Sequence, residues 1–296
     1  PGRRRTCASV ASGGGGVSRH PFWLEIGRQR LYAEWLRPET GAAHQRPGDP
    51  GGARLPLVFL HEGLGSISQW TARKVDFPFL LVKMTGRPGL LFDRLGYGRS
   101  DPMPLPRPLR YLWAEAETML PAVLDQCGIG RAILFGHSDG GSIALLFGAR
   151  FPDRTAALVA EAAHIFVEPA ALAGIRRARE AFHAPGNRWR PALHRHHGAK
   201  TQAMFDAWAE TWLSPAFSAA FDMRDALPSI TAPLLAIQGA ADEYATPAHL
   251  DAIADGVSGR AERWLVPGAG HSAHFDAAEA LADRITAFLD GCVPEA

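Results

Sequence analysis

Residues 131–149 read RAILFGHSDGGSIALLFGA, and this stretch constrains the fold more than any other. Ala132 to Phe135 is a short apolar run, and from Gly141 onward the chain is mostly apolar at helical length, so the segment reads as a buried strand turning directly into a buried helix. Ser138 sits at the turn. Gly136, Gly140 and Gly141 flank it, as a turn this sharp requires, because a β-carbon there would collide with the neighbouring strand or helix. The spacing Gly136-His137-Ser138-Asp139-Gly140 fits G-x-S-x-G, which lifts a serine hydroxyl clear of a parallel sheet at a helix N-terminus. A serine so placed can attack a carbonyl.

The rest of the chain supplies strands and helices in alternation. Phe22–Ile26 and Leu31–Trp35 flank Gly27-Arg28-Gln29-Arg30 as a hairpin, and the Pro/Gly-rich stretch Pro38–Arg54 reads as a surface loop. Leu57–Leu60 and Leu90–Phe92 are short apolar strands. The first runs into His61-Glu62-Gly63-Leu64-Gly65-Ser66, a Gly-rich loop whose free backbone N–H groups suit a developing oxyanion; the second runs into Asp93–Ser100, read as a structural turn. Tyr111–Cys127 carries apolar residues at helical spacing, and Gly128 is placed to end it. A strand at Ala156–Ala160 follows the serine-bearing helix, so the order predicts an α/β fold: a mostly parallel central sheet with helices on both faces.

Between His164 and Pro233 the alternation stops, and helical segments alone are expected: Ala170–His183, Thr201–Leu213 with Met204, Trp208 and Trp212 along one face, and Pro215–Met223. An insertion of that length between two strands is usually functional. It reads as a helical cap. The domain boundaries that follow are a disordered tail over 1–20, a core over 21–163 and 231–296, and the cap over 164–230. The sheet resumes at Leu234–Gln238, followed by a helix at Pro247–Ala254, a strand near Arg263–Val266 and a last helix over Ala277–Leu289. Asp242 and His271 thus each lie on a loop just after a late strand, at the sheet edge that carries Ser138.

Composition narrows the partners. Over 296 residues the formal net charge is +1, which gives no reason to invoke nucleic acid or an anionic membrane; a small-molecule substrate is expected. No apolar run reaches the roughly 18 residues needed to span a bilayer, and Arg3, Arg4 and Arg5 lead into SGGGG rather than a signal core, so a cytoplasmic protein is expected. Cys7, Cys127 and Cys292 are odd in number and far apart, which argues against a disulfide framework and a zinc site. No G-x-G-x-x-G follows a strand and no Walker sequence is present, so no cofactor is expected. The run His194-Arg195-His196-His197 lacks a spaced carboxylate or cysteine and reads as a solvated cap surface. Homo-oligomerisation stays open.

With HEGLGS, DRLGYGRS, GHSDGG, GAADEY and GAGHSAH in order, the chain resembles the α/β-hydrolase superfamily from about residue 22 onward. Within it the chain is similar to the capped, single-domain group of biphenyl-hydrolase-like esterases, meta-cleavage hydrolases and non-haem haloperoxidases. The order Ser138, Asp242, His271 is that superfamily's triad order. The resemblance implies Ser138 as nucleophile, His271 as general base and acid, and Asp242 as the residue orienting the imidazole. It implies an oxyanion hole of the Asp139 and Gly63 N–H groups, with Leu64 as the alternative to Gly63, because Glu62 stands where many members have glycine. Glu62, Leu64, His164, Trp208 and Trp212 are candidates for substrate contact. Glu161, at a strand end where some members place the acid, is the alternative to Asp242, and His274 reads as a helix N-terminal residue. The implied activity is hydrolysis of small carboxylic esters, thioesters or lactones through an acyl-enzyme. Carbon–carbon hydrolysis, perhydrolysis and a non-catalytic receptor role are the alternatives.

Overall fold

The computed structural model describes residues 16–39, 54–71 and 75–293. Residues 1–15 of the expected tail, most of the expected Pro38–Arg54 loop, and Cys7 lie outside the described residues. Among the described residues eight strands form one sheet: β1 (Val17–Ile26), β2 (Gln29–Pro38), β3 (Leu57–Leu60), β4 (Gly89–Phe92), β5 (Ala132–His137), β6 (Thr155–Glu161), β7 (Leu234–Gly239) and β8 (Ala261–Val266). Their spatial order is β1-β2-β4-β3-β5-β6-β7-β8. β1, β2 and β4 pair antiparallel, and every pairing from β4 across to β8 is parallel.

The hairpin is tighter and longer than its apolar residues suggest. Ile26 pairs with Gln29, so Gly27-Arg28 is a two-residue turn with Gly27 at φ 63°, and the ladder continues back to Val17 opposite Pro38. Val17–His20, expected in the tail, therefore belong to β1. An edge strand can extend through polar residues, and through Pro21, because ladder hydrogen bonds to β2 stabilise it where apolar burial does not.

The helices are α1 (Ile67–Trp70), α2 (Phe77–Thr85), α3 (Tyr111–Ala114), α4 (Leu120–Gln126), α5 (Asp139–Arg150), α6 (Pro169–His183), α7 (Trp189–His197), α8 (Thr201–Leu213), α9 (Pro215–Ala220), α10 (Pro247–Gly256), α11 (Ala273–Asp276) and α12 (Ala278–Cys292). Among the described residues none is long and apolar enough to cross a membrane. The stretch expected as one helix over Tyr111–Cys127 is divided by a π-helical turn at Glu115–Met119. Pro121 sits at the start of α4 and cannot donate to the carbonyl four residues back, so the turn before it widens. α7 carries little apolar periodicity: it buries only Leu193 and His197, which left it invisible to pattern reading.

Alternate side chains of the central strands enter two cores. Val58, Leu134 and Leu158 pack with α4, α5 and α10 on one face; Leu57, Phe59, Ile133 and Phe135 pack with α2 and α12 on the other. All six residues of β5 and ten of the twelve in α5 are buried. This strand and helix lie at the centre of the molecule, so the turn between them is held from both sides.

Candidate active site

Ser138 occupies the β5–α5 turn at φ 54°, ψ −118°, a left-handed conformation that costs a non-glycine residue about 1–3 kcal/mol. The surroundings enforce it. A β-carbon at Gly136 would collide with the Gly140 carbonyl, and one at Gly140 with the Leu60 carbonyl, so β3, β5 and α5 approach as closely as only glycine allows. Ser138 N–H donates to Glu161 O at 2.8 Å, locking the turn to β6.

His271 and Asp242 come from the loops after β8 and β7, which are tied together by Ala241 N–H donating to Ala269 O (2.8 Å). His271 Nδ1 lies 2.9 and 3.0 Å from the two oxygens of Asp242. Asp242 Oδ1 also accepts from Tyr244 N–H (2.9 Å) and Ala245 N–H (3.3 Å). Burial alone would raise the Asp242 carboxyl, but the hydrogen bond and charge of His271 outweigh it and hold the group below its ordinary value. Burial likewise pulls His271 down, and the Asp242 hydrogen bond and charge, with help from Glu62, leave the imidazole above its ordinary value. With Nδ1 committed to Asp242, Nε2 is the nitrogen available for proton transfer.

Glu161 serves a different histidine. Its carboxylate accepts from the backbone of His274 (2.9 Å) and lies 2.9 and 3.0 Å from His274 Nδ1. Burial raises Glu161, and the charge and hydrogen bonds of His274 more than reverse that, holding it below its ordinary value. His274, expected as a helix N-terminal residue, does begin a short helix, but its ring is buried against Glu161. His137, in the signature pentapeptide, donates from Nε2 to His271 O at 2.9 Å, and burial pushes it down to about 4.

The loop after β3 lies against the start of α5. The space beside Gly63 is filled: a β-carbon there would stand 2.5 Å from Trp208 Nε1 and 3.2 Å from Asp139 Oδ2. Asp139 is buried, and its Oδ2 accepts from Tyr111 O–H (2.9 Å), whose oxygen in turn accepts from Trp212 Nε1–H (3.0 Å). Arg94 Nη2 stands 3.6 Å from the same carboxylate oxygen. Trp208 thus meets the loop beside Ser138, and Trp212 reaches Asp139 at the start of α5 through Tyr111. His164 lies beside Trp212, His249 and His271, with ring centroids 5.4, 5.1 and 5.9 Å away. Glu62 turns toward His137, with Oε2 3.5 Å from Nδ1, and lines a small cavity with Gln69, Trp70 and His274. The Leu64 carbonyl accepts from His197 Nε2 at 3.0 Å.

That last bond corrects the reading of the histidine run as a solvated surface at His197, while His194 and Arg195 are exposed as expected. His197 is buried: its Nδ1 accepts from Gly98 N–H (3.0 Å) while Nε2 donates to Leu64 O, so one neutral ring ties α7 to two loops of the core. Burial pushes it down to about 4. His196 Nδ1 meets Ser68 Oγ at 2.8 Å. In the Asp93–Ser100 turn, Asp93 accepts from Ile67 and Arg99 N–H (2.7 and 2.8 Å), as a structural turn should. Arg94 points instead into the site, and sequence reasoning missed it along with Tyr111. Metal-ligand atoms come within 4.8 Å of one another in Glu62, His137 and His271, and again in His137, Glu161 and His274. Both groups draw on histidines already hydrogen-bonded to protein oxygens.

A sheet of this order, with serine at a left-handed strand–helix turn and an Asp–His pair on the loops after β7 and β8, defines a class of hydrolytic fold. A model of the alpha/beta hydrolase family matches residues 57–284, and the chain belongs to that family. Among curated proteins it is 29% identical over 317 residues, 97% of this chain, to the polyketide synthase ThaQ of Burkholderia thailandensis. The chain spans only 14% of that protein and 29% of a (lyso)-N-acylphosphatidylethanolamine lipase of Bos taurus that it also matches. Among solved structures the enol-lactonase of Burkholderia xenovorans aligns with a TM-score of 0.65 at 20% identity, covering 90% of this chain and 99% of that one. The naproxen esterase of Bacillus subtilis aligns with a TM-score of 0.67 at 18% identity, covering 92% of each chain. These two likenesses speak to fold.

Proposed function

We propose that the chain is a serine hydrolase that cleaves small carboxylic esters, thioesters or lactones through an acyl-enzyme. The observation that carries the reading is the pairing of His271 Nδ1 with both oxygens of Asp242, on the sheet edge where Ser138 is held in a left-handed turn. Ser138 Oγ attacks the carbonyl carbon while His271 Nε2 takes its proton, and Asp242 stabilises the imidazolium. The tetrahedral oxyanion is met by the N–H groups of Gly63 and Asp139. Collapse expels the alcohol or thiol, which receives the proton from His271; a water activated by the same nitrogen then releases the acid. The helices α6–α9 act as the cap, bringing Trp208 and Trp212 over the site. Free thiols at Cys127 and Cys292 suit a reducing compartment.

The match to a polyketide synthase over 97% of this chain favours a second form of the same chemistry, with the acyl group delivered as a thioester. Turnover of matched p-nitrophenyl esters, N-acetylcysteamine thioesters, lactones and ring-fission diketones on one preparation tests both readings, with fluorophosphonate labelling to locate the nucleophile. Labelling at Ser138 with ester or thioester turnover is the expected result. Ligand binding without turnover or labelling would make the chain a receptor, and turnover of the diketones alone would make it a carbon–carbon hydrolase.

A further inference from the structure

We infer that Arg94 is a positioning residue for the oxyanion hole, holding and polarising the peptide between Glu62 and Gly63. This rests on the oxyanion role proposed above for Gly63. A peptide unit is planar and trans, so the Glu62 carbonyl and the Gly63 N–H point in opposite directions from one rigid group. Whatever fixes the carbonyl also aims the N–H. Glu62 O accepts three donors: Arg94 Nη2 at 2.7 Å, His61 Nδ1 at 2.8 Å and Gly65 N–H at 3.1 Å. The roles at His61 are settled by its other nitrogen. Nε2 accepts from Arg94 N–H at 3.0 Å, so Nδ1 carries the proton and donates.

Only one of the three donors is charged. Electron density drawn toward a cation at the carbonyl oxygen makes the N–H at the other end a stronger donor, as successive hydrogen bonds in a chain polarise one another. The guanidinium is placed as this role requires and not as a simple ion pair would be. It is 1% exposed, and its Nε and Nη1 are buried with no hydrogen-bond partner among the described residues. Asp139 Oδ2 is 3.6 Å from Nη2, a single long approach instead of a bidentate fork, and the face of Tyr97 lies 4.6 Å from Cζ. Glu115 adds its field from the π-helical turn. A buried cation so incompletely paired is costly to stability alone. At the back of an oxyanion donor its charge acts on the negative charge that develops in the transition state.

Arg94→Met, Arg94→Gln and Arg94→Lys separate the possibilities, with kcat taken per site titrated by a fluorophosphonate. If Arg94 acts through the peptide, Arg94→Met lowers kcat on esters about 100-fold, the order found on losing an oxyanion donor, while KM stays within about threefold. The affinity of a boronic acid that mimics the tetrahedral intermediate should fall by a similar factor. Arg94→Lys, which keeps the charge, should recover more than Arg94→Gln, which keeps only a neutral donor. A structural role would lower the melting temperature or the titratable fraction and leave kcat per site intact. Equal activity per site in the Lys and Gln variants, or kcat within threefold of wild type in all folded variants, overturns the proposal. The Lys–Gln comparison stands even where Arg94→Met does not fold. Labelling of wild type at Ser138 reports separately on the hydrolase reading.

Discussion

Asp242 meets His271 Nδ1 with both carboxylate oxygens, at 2.9 and 3.0 Å, while Glu161, one strand over, closes the same kind of pair on His274. The two acids have exchanged neither partner nor environment, so their removal should read out differently. Asp242→Asn leaves the imidazole in the wrong tautomer and is expected to lower kcat on esters by about 10³–10⁴-fold. Glu161→Gln should lower kcat far less. The ranking of kcat in the two variants is the measurement, and a reversed ranking would move the triad acid to β6.

Glu161→Gln should instead cost stability. The amide keeps an acceptor for His274 but loses the carboxylate charge in a site where both side chains are almost fully buried, and weakening a charge-assisted hydrogen bond there costs about 1–3 kcal/mol. Glu161 titrates below its ordinary 4.5 when folded, so the stability it adds is present above that value and drains away as the pH falls through the lower folded value. Wild type should therefore lose stability below about pH 4.5 more steeply than the variant. Urea unfolding at pH 7 and at pH 4 checks both halves.

The base limb of activity follows from His271. Only the neutral ring accepts the serine proton, and Asp242 holds the imidazole above its ordinary 6.5, so kcat/KM should rise with pH through a midpoint above 6.5. Asp242→Asn removes the hydrogen bond and charge that oppose burial. Its residual activity should rise through a lower midpoint. An unchanged midpoint in the variant would assign the limb to another group.

Ser138→Ala should abolish fluorophosphonate labelling and lower kcat by several orders of magnitude, because the three groups act as a unit. Its effect on stability should be neutral or favourable. The serine sits at φ 54° for the sake of the turn, and alanine keeps that backbone and removes only the hydroxyl. A variant with more than a few per cent of wild-type turnover would sink the nucleophile assignment.

The mostly parallel sheet, and the turn and loops that carry Ser138, Asp242 and His271, were legible because they depend on local signals: apolar strands, glycines at collision points, and loops just after strands. What escaped notice depends on contacts that no local pattern announces. His197 looks like a surface residue in a basic run, yet it bridges Leu64 and Gly98 from 133 and 99 residues away. Arg94 sits in a turn whose Asp93 and Ser100 are structural, and only the folded chain shows its guanidinium at the Glu62 carbonyl. Val17–His20 carry no apolar alternation and owe their strand to backbone pairing with β2.

The same contacts bear on the charge preference of the substrate. Sequence alone puts two carboxylates beside the nucleophile, Glu62 and Asp139, which together would favour cationic over anionic esters. In the fold they are not equivalent. Asp139 is buried, accepts from Tyr111 and faces Arg94, so its field is largely offset before it reaches a ligand. The Glu62 side chain is 32% exposed and lies 3.5 Å from His137, which burial keeps neutral at pH 7, with His271 within 4.8 Å as well. Any preference should therefore reside in Glu62, and at a half-solvated site it should amount to about 1 kcal/mol, a few-fold in rate. Three esters of matched size, one cationic, one neutral and one anionic, report it as ratios of kcat/KM. Glu62→Gln should bring the cationic-to-anionic ratio toward unity. Asp139→Asn should change that ratio less while lowering kcat, because it loosens the Tyr111 and Trp212 contacts around the oxyanion loop. A ratio that responds to Asp139 and not to Glu62 would place the substrate's charged group on the α5 side of the serine.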